Sequence, residues 1–135
     1  ASIEDLCIQI SDATDARGLK FSNKPRCLAV ANNNMFEANR IVKSVLQNDT
    51  ANNAVNVIKM LNVFGDGIVV NPYFTDTDAW FIRTDCMDGL THFTRMEAAF
   101  DKDNDFDTKN AKASVITRFS AGWSNWRQIY GSAGA

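Results

Sequence analysis

Residues 101–109 read DKDNDFDTK, and aspartates occupy every second position from 101 to 107. A calcium loop begins with this spacing, but it also needs a glycine at its sixth position and a bidentate glutamate at its twelfth. Counted from Asp101, the sixth residue is Phe106 and the twelfth is Lys112. Phenylalanine does not readily make the sharp turn, and lysine places a positive charge where the ion needs a carboxylate. We therefore predict a solvated connection between two strands that binds no calcium.

Strand composition continues outward on both sides of this connection. GLTHFTRMEAAF at 89–100 precedes it and KASVITRFSAGW at 112–123 follows it, and both contain β-branched and aromatic residues. DAWFIRTD at 78–85 is a further strand, and the turn-like residues 87–89 predict that it forms a hairpin with 89–100. Within 78–85, alternation places Trp80 and Ile82 on one face and Phe81 and Arg83 on the other.

The first half of the chain is richer in helix signals. Ile3, Leu6, Cys7, Ile10 and Ala13 share one helical face, so a helix is predicted over 2–17 and Gly18 is placed to end it. The other predicted segments are a strand at 26–31, a helix at 35–46, a turn at 47–53, an undecided helix or strand at 55–63, a strand at 64–74 and a loose tail at 125–135. Together they predict one α+β unit over 1–135.

Composition limits the possible functions. The chain has 135 residues, 45% of them hydrophobic, and a formal net charge of -2. A chain of this length and composition can form one domain with a hydrophobic core. A net charge of -2 does not create the positive electrostatic field that attracts nucleic acid. No apolar run reaches the roughly 18 residues of a membrane span. Cys7, Cys27 and Cys86 show no metal-binding spacing and are expected to be reduced thiols.

No sequence motif announces catalysis or a cofactor. Glycine-rich phosphate loops and a nucleophile elbow are absent from the sequence, so no catalytic residue, cofactor or metal ligand is assigned. A hydrolase built on Cys86, His92 and Asp88 is one alternative, and a small ligand-binding or regulatory α/β domain is another. Neither has a motif of its own.

Aromatic residues and arginines are concentrated near the end of the chain. Arginine and aromatic side chains stack on single-stranded nucleic acid, but they are also enriched in protein interfaces. Two arginines do not form a basic groove, so we favour burial or subunit contact. The candidate contact residues are Arg118, Trp123, Trp126, Arg127 and Tyr130. We expect the three large aromatics to anchor the last strand against the body or a neighbour, and the two arginines to pair with acidic groups there.

These segments, in this order, resemble the C-terminal part of tailed-phage major capsid proteins, in particular the phage Mu-like major head subunit. The likeness is carried by NPYFTDTDAWF at 71–81, GLTHFTRMEAAF at 89–100 and RFSAGWSNWRQIYGS at 118–132. KPRCLAVANN at 24–33 also resembles the family pattern, although Ala31 and Asn32 stand where that pattern usually has prolines. The resemblance covers nearly the whole chain.

The resemblance implies a Hong Kong phage-type capsid fold. Residues 1–100 would be mainly the axial domain, and 101–132 would be a returning strand of the peripheral domain with the tail. No long spine helix or extended loop is visible before Ile3, so the chain is expected to be the C-terminal portion of a longer subunit.

The function implied by the resemblance is that of a structural major head protein, not an enzyme. Such a protein assembles with copies of itself into hexamers and pentamers in the bacterial host cytoplasm, and becomes the icosahedral capsid of the bacteriophage virion. Its partners would be the rest of the subunit chain and scaffold, portal or decoration proteins. Packaged DNA would lie nearby without sequence-specific binding, and no membrane or cofactor would be involved.

Overall fold

The computed structural model describes residues 3–46 and 54–132, which contain three α-helices, two short 3₁₀ helices and six strands. The helices are α1 (Ile3–Ser11), α2 (Met35–Lys43) and α3 (Val57–Met60). The strands are β1 (Pro25–Ala31), β2 (Ile68–Asn71), β3 (Trp80–Thr84), β4 (Leu90–Asn104), β5 (Ala111–Trp123) and β6 (Ile129–Ser132). The α+β class predicted from the sequence is confirmed.

Four of the strands form a mixed sheet in the order β2-β1-β3-β6. Strand β1 is parallel to β2 and antiparallel to β3, and β3 is antiparallel to β6. Leu28 lies opposite both Ile68 and Ile82, so the centre of the sheet is apolar across three strands. The segments predicted as strands at 26–31 and 64–74 supply β1 and β2.

The core lies between one face of this sheet and the helices. Leu28, Val30 and Ile82 point to that face and are at most 3% exposed. Leu6 and Ile10 of α1, Ala38 of α2 and Phe64 pack against them. The predicted apolar stripe of the first helix is therefore the surface through which α1 is held.

Strands β4 and β5 form a separate two-stranded antiparallel ribbon. They contain 15 and 13 residues, and nearly every side chain on them is exposed. At about 3.4 Å per residue, the ribbon extends roughly 50 Å. At its base, Ser124 Oγ donates to the carbonyl of Asp88 at 2.6 Å and Ser124 N donates to Gly89 O at 2.9 Å.

Only the second half of the acidic stretch is the connection at the tip of the ribbon, because residues 101–104 continue β4 and pair with β5. The prediction of a connection over 101–109 is therefore correct from Asp105 onward and wrong before it. Asp105 N donates to Asn110 O at 3.0 Å, and Lys109 N donates to Asp105 O at 2.9 Å. Lys112 forms a 2.9 Å ion pair with Asp105, and its hydrogen bond holds the pKa of that carboxyl below its usual value. The carboxylate of Asp105 thus bonds within the connection.

The predicted hairpin between 78–85 and 89–100 is wrong. Both edges of β3 are occupied, one by β1 and the other by β6, so β4 cannot pair with it. Asp88, with a φ of 57°, lies in the turn that directs the chain out of the sheet and into the ribbon. The alternation predicted for β3 is nevertheless confirmed, because Trp80 and Ile82 face the core while Phe81 and Arg83 line the opposite face.

The predicted loose tail is also wrong as far as Ser132. Residues 129–132 form β6, because pairing with β3 satisfies their backbone groups. Gly131 is required there, since a Cβ at this position would lie 2.3 Å from the ring of Phe81. Residues 133–135 and the predicted turn at 47–53 lie outside the described residues.

Two predicted helices are shorter than expected, and one ambiguous segment is resolved. Helix α1 ends at Ser11 instead of 17, because Thr14 and Lys20 pair as a small bridge whose turn contains Gly18 at a φ of 77°. Helix α2 ends at Lys43 rather than 46. The segment 55–63 contains the short helix α3, which Asn56 caps by accepting a hydrogen bond from Ile58 N at 3.1 Å.

Candidate assembly surfaces

Tyr130 is the one predicted contact residue that packs against the core. It lies on β6 opposite Ile82, and burial raises the pKa of its hydroxyl. The neighbouring side chain of Asn23, only 2% exposed, opposes that rise. The Tyr130 hydroxyl and Asn23 Oδ1 are both buried, and neither meets the distance and angle criteria for a hydrogen bond, although the hydroxyl can donate and the amide oxygen can accept. Tyr130 therefore holds β6 against the body, which is the four-stranded sheet with its helices.

Trp126 and Arg127 lie in the short 3₁₀ turn that leads from the ribbon into β6. Asn125 caps this turn by accepting a hydrogen bond from Arg127 N at 3.1 Å. The Arg127 guanidinium lies 4.7 Å from the centre of the Trp126 ring, and its Nε donates to the carbonyl of Thr14 at 3.1 Å. Trp126 is 57% exposed. It forms an edge-to-face contact with Tyr130.

Trp123 and Arg118 lie on the ribbon, outside the body. Trp123 is opposite Leu90 and is 71% exposed, and Arg118 is opposite Met96. Within residues 3–46 and 54–132, neither Arg118 nor Arg127 has an acidic group at ion-pair distance. The expected acidic partners are therefore not supplied by the described chain, and pairing with a neighbour remains a prediction.

Both faces of the ribbon carry large exposed apolar side chains. Following the register, one face includes Leu90, Phe100, Val115, Phe119 and Trp123, and the other includes Phe93, Met96 and Ile116. These side chains are between 40% and 71% exposed. Most of these side chains were not among the contact residues predicted from the sequence. The available signal was the presence of large apolar residues at both odd and even positions of one strand, which indicates a strand covered on both faces.

The sheet also has an uncovered apolar face, opposite the helices. Ala29, Val69, Phe81 and Ile129 line a depression of about 430 Å³ on it, and Phe74 packs edge-to-face on Phe81 at a centroid distance of 5.3 Å. The 2.7 Å ion pair of Arg83 with Asp66 lies beside this depression. We call this surface the open sheet face.

The side chains of the hydrolase alternative do not hydrogen-bond to one another. Cys86 Sγ accepts from Asn125 Nδ2 at 3.1 Å. The His92 ring stacks on Phe119 at 5.4 Å and lies 3.5 Å from Thr94 Oγ1. The Cys86 and His92 side chains therefore each have a local structural contact.

The described residues contain neither a group of potential metal ligands nor a helix that could span a membrane. His, Cys, Asp and Glu side chains do not gather there in groups of three or more that could hold a metal ion. None of the described helices is long and apolar enough to cross a bilayer.

Comparison with known proteins shows a likeness in fold. No protein-family model matches the chain, and no curated protein matches it. The crystal structure of a virus-like particle from Pyrococcus furiosus does match, with a TM-score of 0.54 and 12% sequence identity. The match covers 95% of this chain but 47% of that chain, so this chain spans about half of its structural neighbour. The chain therefore has a capsid-like fold, similar to part of the subunit of a virus-like particle.

Proposed function

We propose that this chain is part of a structural shell protein, the major head protein of a tailed bacteriophage with the Hong Kong phage-type fold. Copies would assemble in the host cytoplasm into hexamers and pentamers and then into an icosahedral shell around packaged DNA. The observation that carries the proposal is the ribbon, which is exposed and apolar on both faces in a fold shared with a virus-like particle.

The ribbon depends on further contacts for its stability. A two-stranded ribbon is marginal in water by itself, and β4 and β5 pair only with each other among the described strands. Covering a large apolar side chain is worth about 1.5–3 kcal/mol when burial is complete. Eight such side chains are exposed on the ribbon, and together they form an apolar surface of the kind that another protein segment covers.

The open sheet face supports the same proposal. Phe81 and Val69 lie on it without a covering layer among the described residues, whereas the other face is covered by helices. In the proposed function, the rest of the subunit and neighbouring copies cover these two surfaces. The protein would then act through geometry and not as an enzyme, with no cofactor and no sequence-specific contact to DNA.

The test is electron microscopy and light scattering on the purified full-length protein. Shells, tubes or capsomers are expected. Trp123→Ser and Phe119→Ser, which reduce the apolar surface of the ribbon, should abolish them while leaving a folded subunit. Tyr73→Ser is the matched control, because Tyr73 is 89% exposed on the body and its loss should leave assembly intact. A stable monomer that binds an apolar ligand on the open sheet face would instead favour a ligand-binding domain.

A further inference from the structure

The two outer edges of the ribbon differ. Between Thr94 and Ala99, β4 contains two residues more than the matching stretch of β5, so the ladder has two register shifts there. Arg95 and Glu97 lie within this irregular stretch. Bulges and charges are the devices by which natural sheets prevent an edge from pairing with another chain. The β4 edge is therefore protected.

The β5 edge lacks this protection. Twelve of its 13 residues have a partner on β4, and Thr117 lies opposite the irregular stretch of β4. No residue is inserted on the β5 side, all 13 residues are exposed, and Lys112 and Arg118 are its only charged residues. A long, regular and largely uncharged edge presents unpaired N–H and C=O groups to a further strand.

We propose that β5 pairs antiparallel with β5 of a second copy, around a two-fold axis at Thr117. The two ribbons then form one continuous four-stranded sheet. This pairing rests on the proposed function only because the strand that pairs with β5 comes from a second copy of this chain. A two-fold contact of this kind is self-complementary and closed.

The side chains select this register. Centring the pair on Val115 would place Lys112 opposite Arg118 of the partner subunit, and like charges directly opposite each other are unfavourable. Centring it on Thr117 lets all 13 residues of β5 pair. It places Val115 opposite the partner's Phe119, Ser114 opposite the partner's Ser120, and Thr117 opposite itself. Aromatic–β-branched and Thr–Thr pairs are among those that stabilise antiparallel strands.

The first experiment uses charge at the two-fold axis, measured by sedimentation of the full chain. Thr117→Lys and Thr117→Glu each place like charges opposite each other, so each alone should weaken association at least tenfold. An equal mixture of the two variants should restore it, because unlike charges then meet. Thr94→Lys and Thr94→Glu are the matched controls, since Thr94 is an exposed threonine on the protected strand β4 and these variants should associate like the unmodified chain.

A second experiment does not depend on charge. Directly opposed residues in an antiparallel pair have Cα atoms about 4.5–5.5 Å apart, within the range of a disulfide. Thr117→Cys should therefore cross-link to its own copy under mild oxidation at least ten times faster than Ala113→Cys, whose two copies would lie eight residues apart along the pair. Cys7→Ser and Cys86→Ser are introduced in both variants to remove the two partly exposed thiols.

The outcomes separate the two proposals. Equal cross-linking of the two cysteine variants, or unchanged association of both Thr117 charge variants, would overturn the β5 pairing, whereas shells seen with those variants would leave the shell function in place. Conversely, selective cross-linking of Thr117→Cys in a protein that forms dimers and nothing larger would support the pairing and overturn the shell function.

Discussion

Two isoleucines on neighbouring parts of the chain show how differently the body and the ribbon are built. Ile82 on β3 is 0% exposed, whereas Ile116 on β5 is 50% exposed. Both lie in antiparallel strands and both face apolar neighbours. The body has helices over one face of its sheet, whereas nothing among the described residues covers either face of the ribbon. Burial in this protein therefore depends on a second layer as well as on residue type.

The largest expected effect tests this difference directly. Ile82→Ala removes core contacts from Leu28 and Tyr130, and should lower the free energy of unfolding by about 2–5 kcal/mol. Ile116→Ala is the matched control, and should change it by less than about 0.5 kcal/mol in the unassembled subunit. Urea denaturation of both variants measures this. Similar losses would mean that the ribbon is part of the folded core.

A second contrast uses two glycines. Gly131→Ala forces a Cβ against the Phe81 ring on β3 and should destabilise the body by about 1–3 kcal/mol. Gly122 on the ribbon has no atom within 4 Å of the position where a Cβ would lie, so Gly122→Ala should be neutral. Thermal unfolding compares them. If Gly131→Ala unfolds at the same temperature as the unmodified protein, the close approach of β6 to β3 is not present in solution.

Trp126 lies between the two regions and should show a mixed result. Because the residue is 57% exposed, Trp126→Ala should cost about 1 kcal/mol in the isolated subunit, well below the loss expected for a core tryptophan. The same variant should fail to assemble if a neighbour covers the indole. Circular dichroism and electron microscopy check the two parts. Normal shells from a fully stable variant would remove Trp126 from the contact residues.

The smallest expected effect concerns the acidic tip of the ribbon. Calorimetric titration with Ca²⁺ should find no site with a dissociation constant below about 10⁻⁴ M. This limit is weaker than the affinities of calcium-sensor proteins. Asp105 already pairs with Lys112, and Phe106 stands where a calcium loop needs glycine. Chelators should leave the unfolding temperature unchanged. Binding in the micromolar range would make the tip an ion site and would change the interpretation of the ribbon.

Local patterns predicted much of what depends on a few adjacent residues. The helical stripe of α1 and the alternation of Trp80 to Arg83 were correct, because side-chain direction follows from the local backbone period. The turn predicted over 101–109 was correct only from Asp105 onward, because residues 101–104 pair with β5. Residues such as Phe93 and Ile116 were missed because alternation predicts a face but not whether anything covers that face.

By itself, the sequence determined the fold class, the position of most strands and the presence of a turn within the acidic stretch, since these depend on propensity and spacing along the chain. The tertiary structure alone decided the pairing. It placed β6 and not β4 beside β3, because a strand has two edges and the choice among distant partners depends on total packing. It also decided that Tyr130 packs against the core whereas Trp123, seven residues earlier in the chain, is exposed. The reason is that the strand of Tyr130 joins the layered body, whereas the strand of Trp123 remains in a two-stranded ribbon.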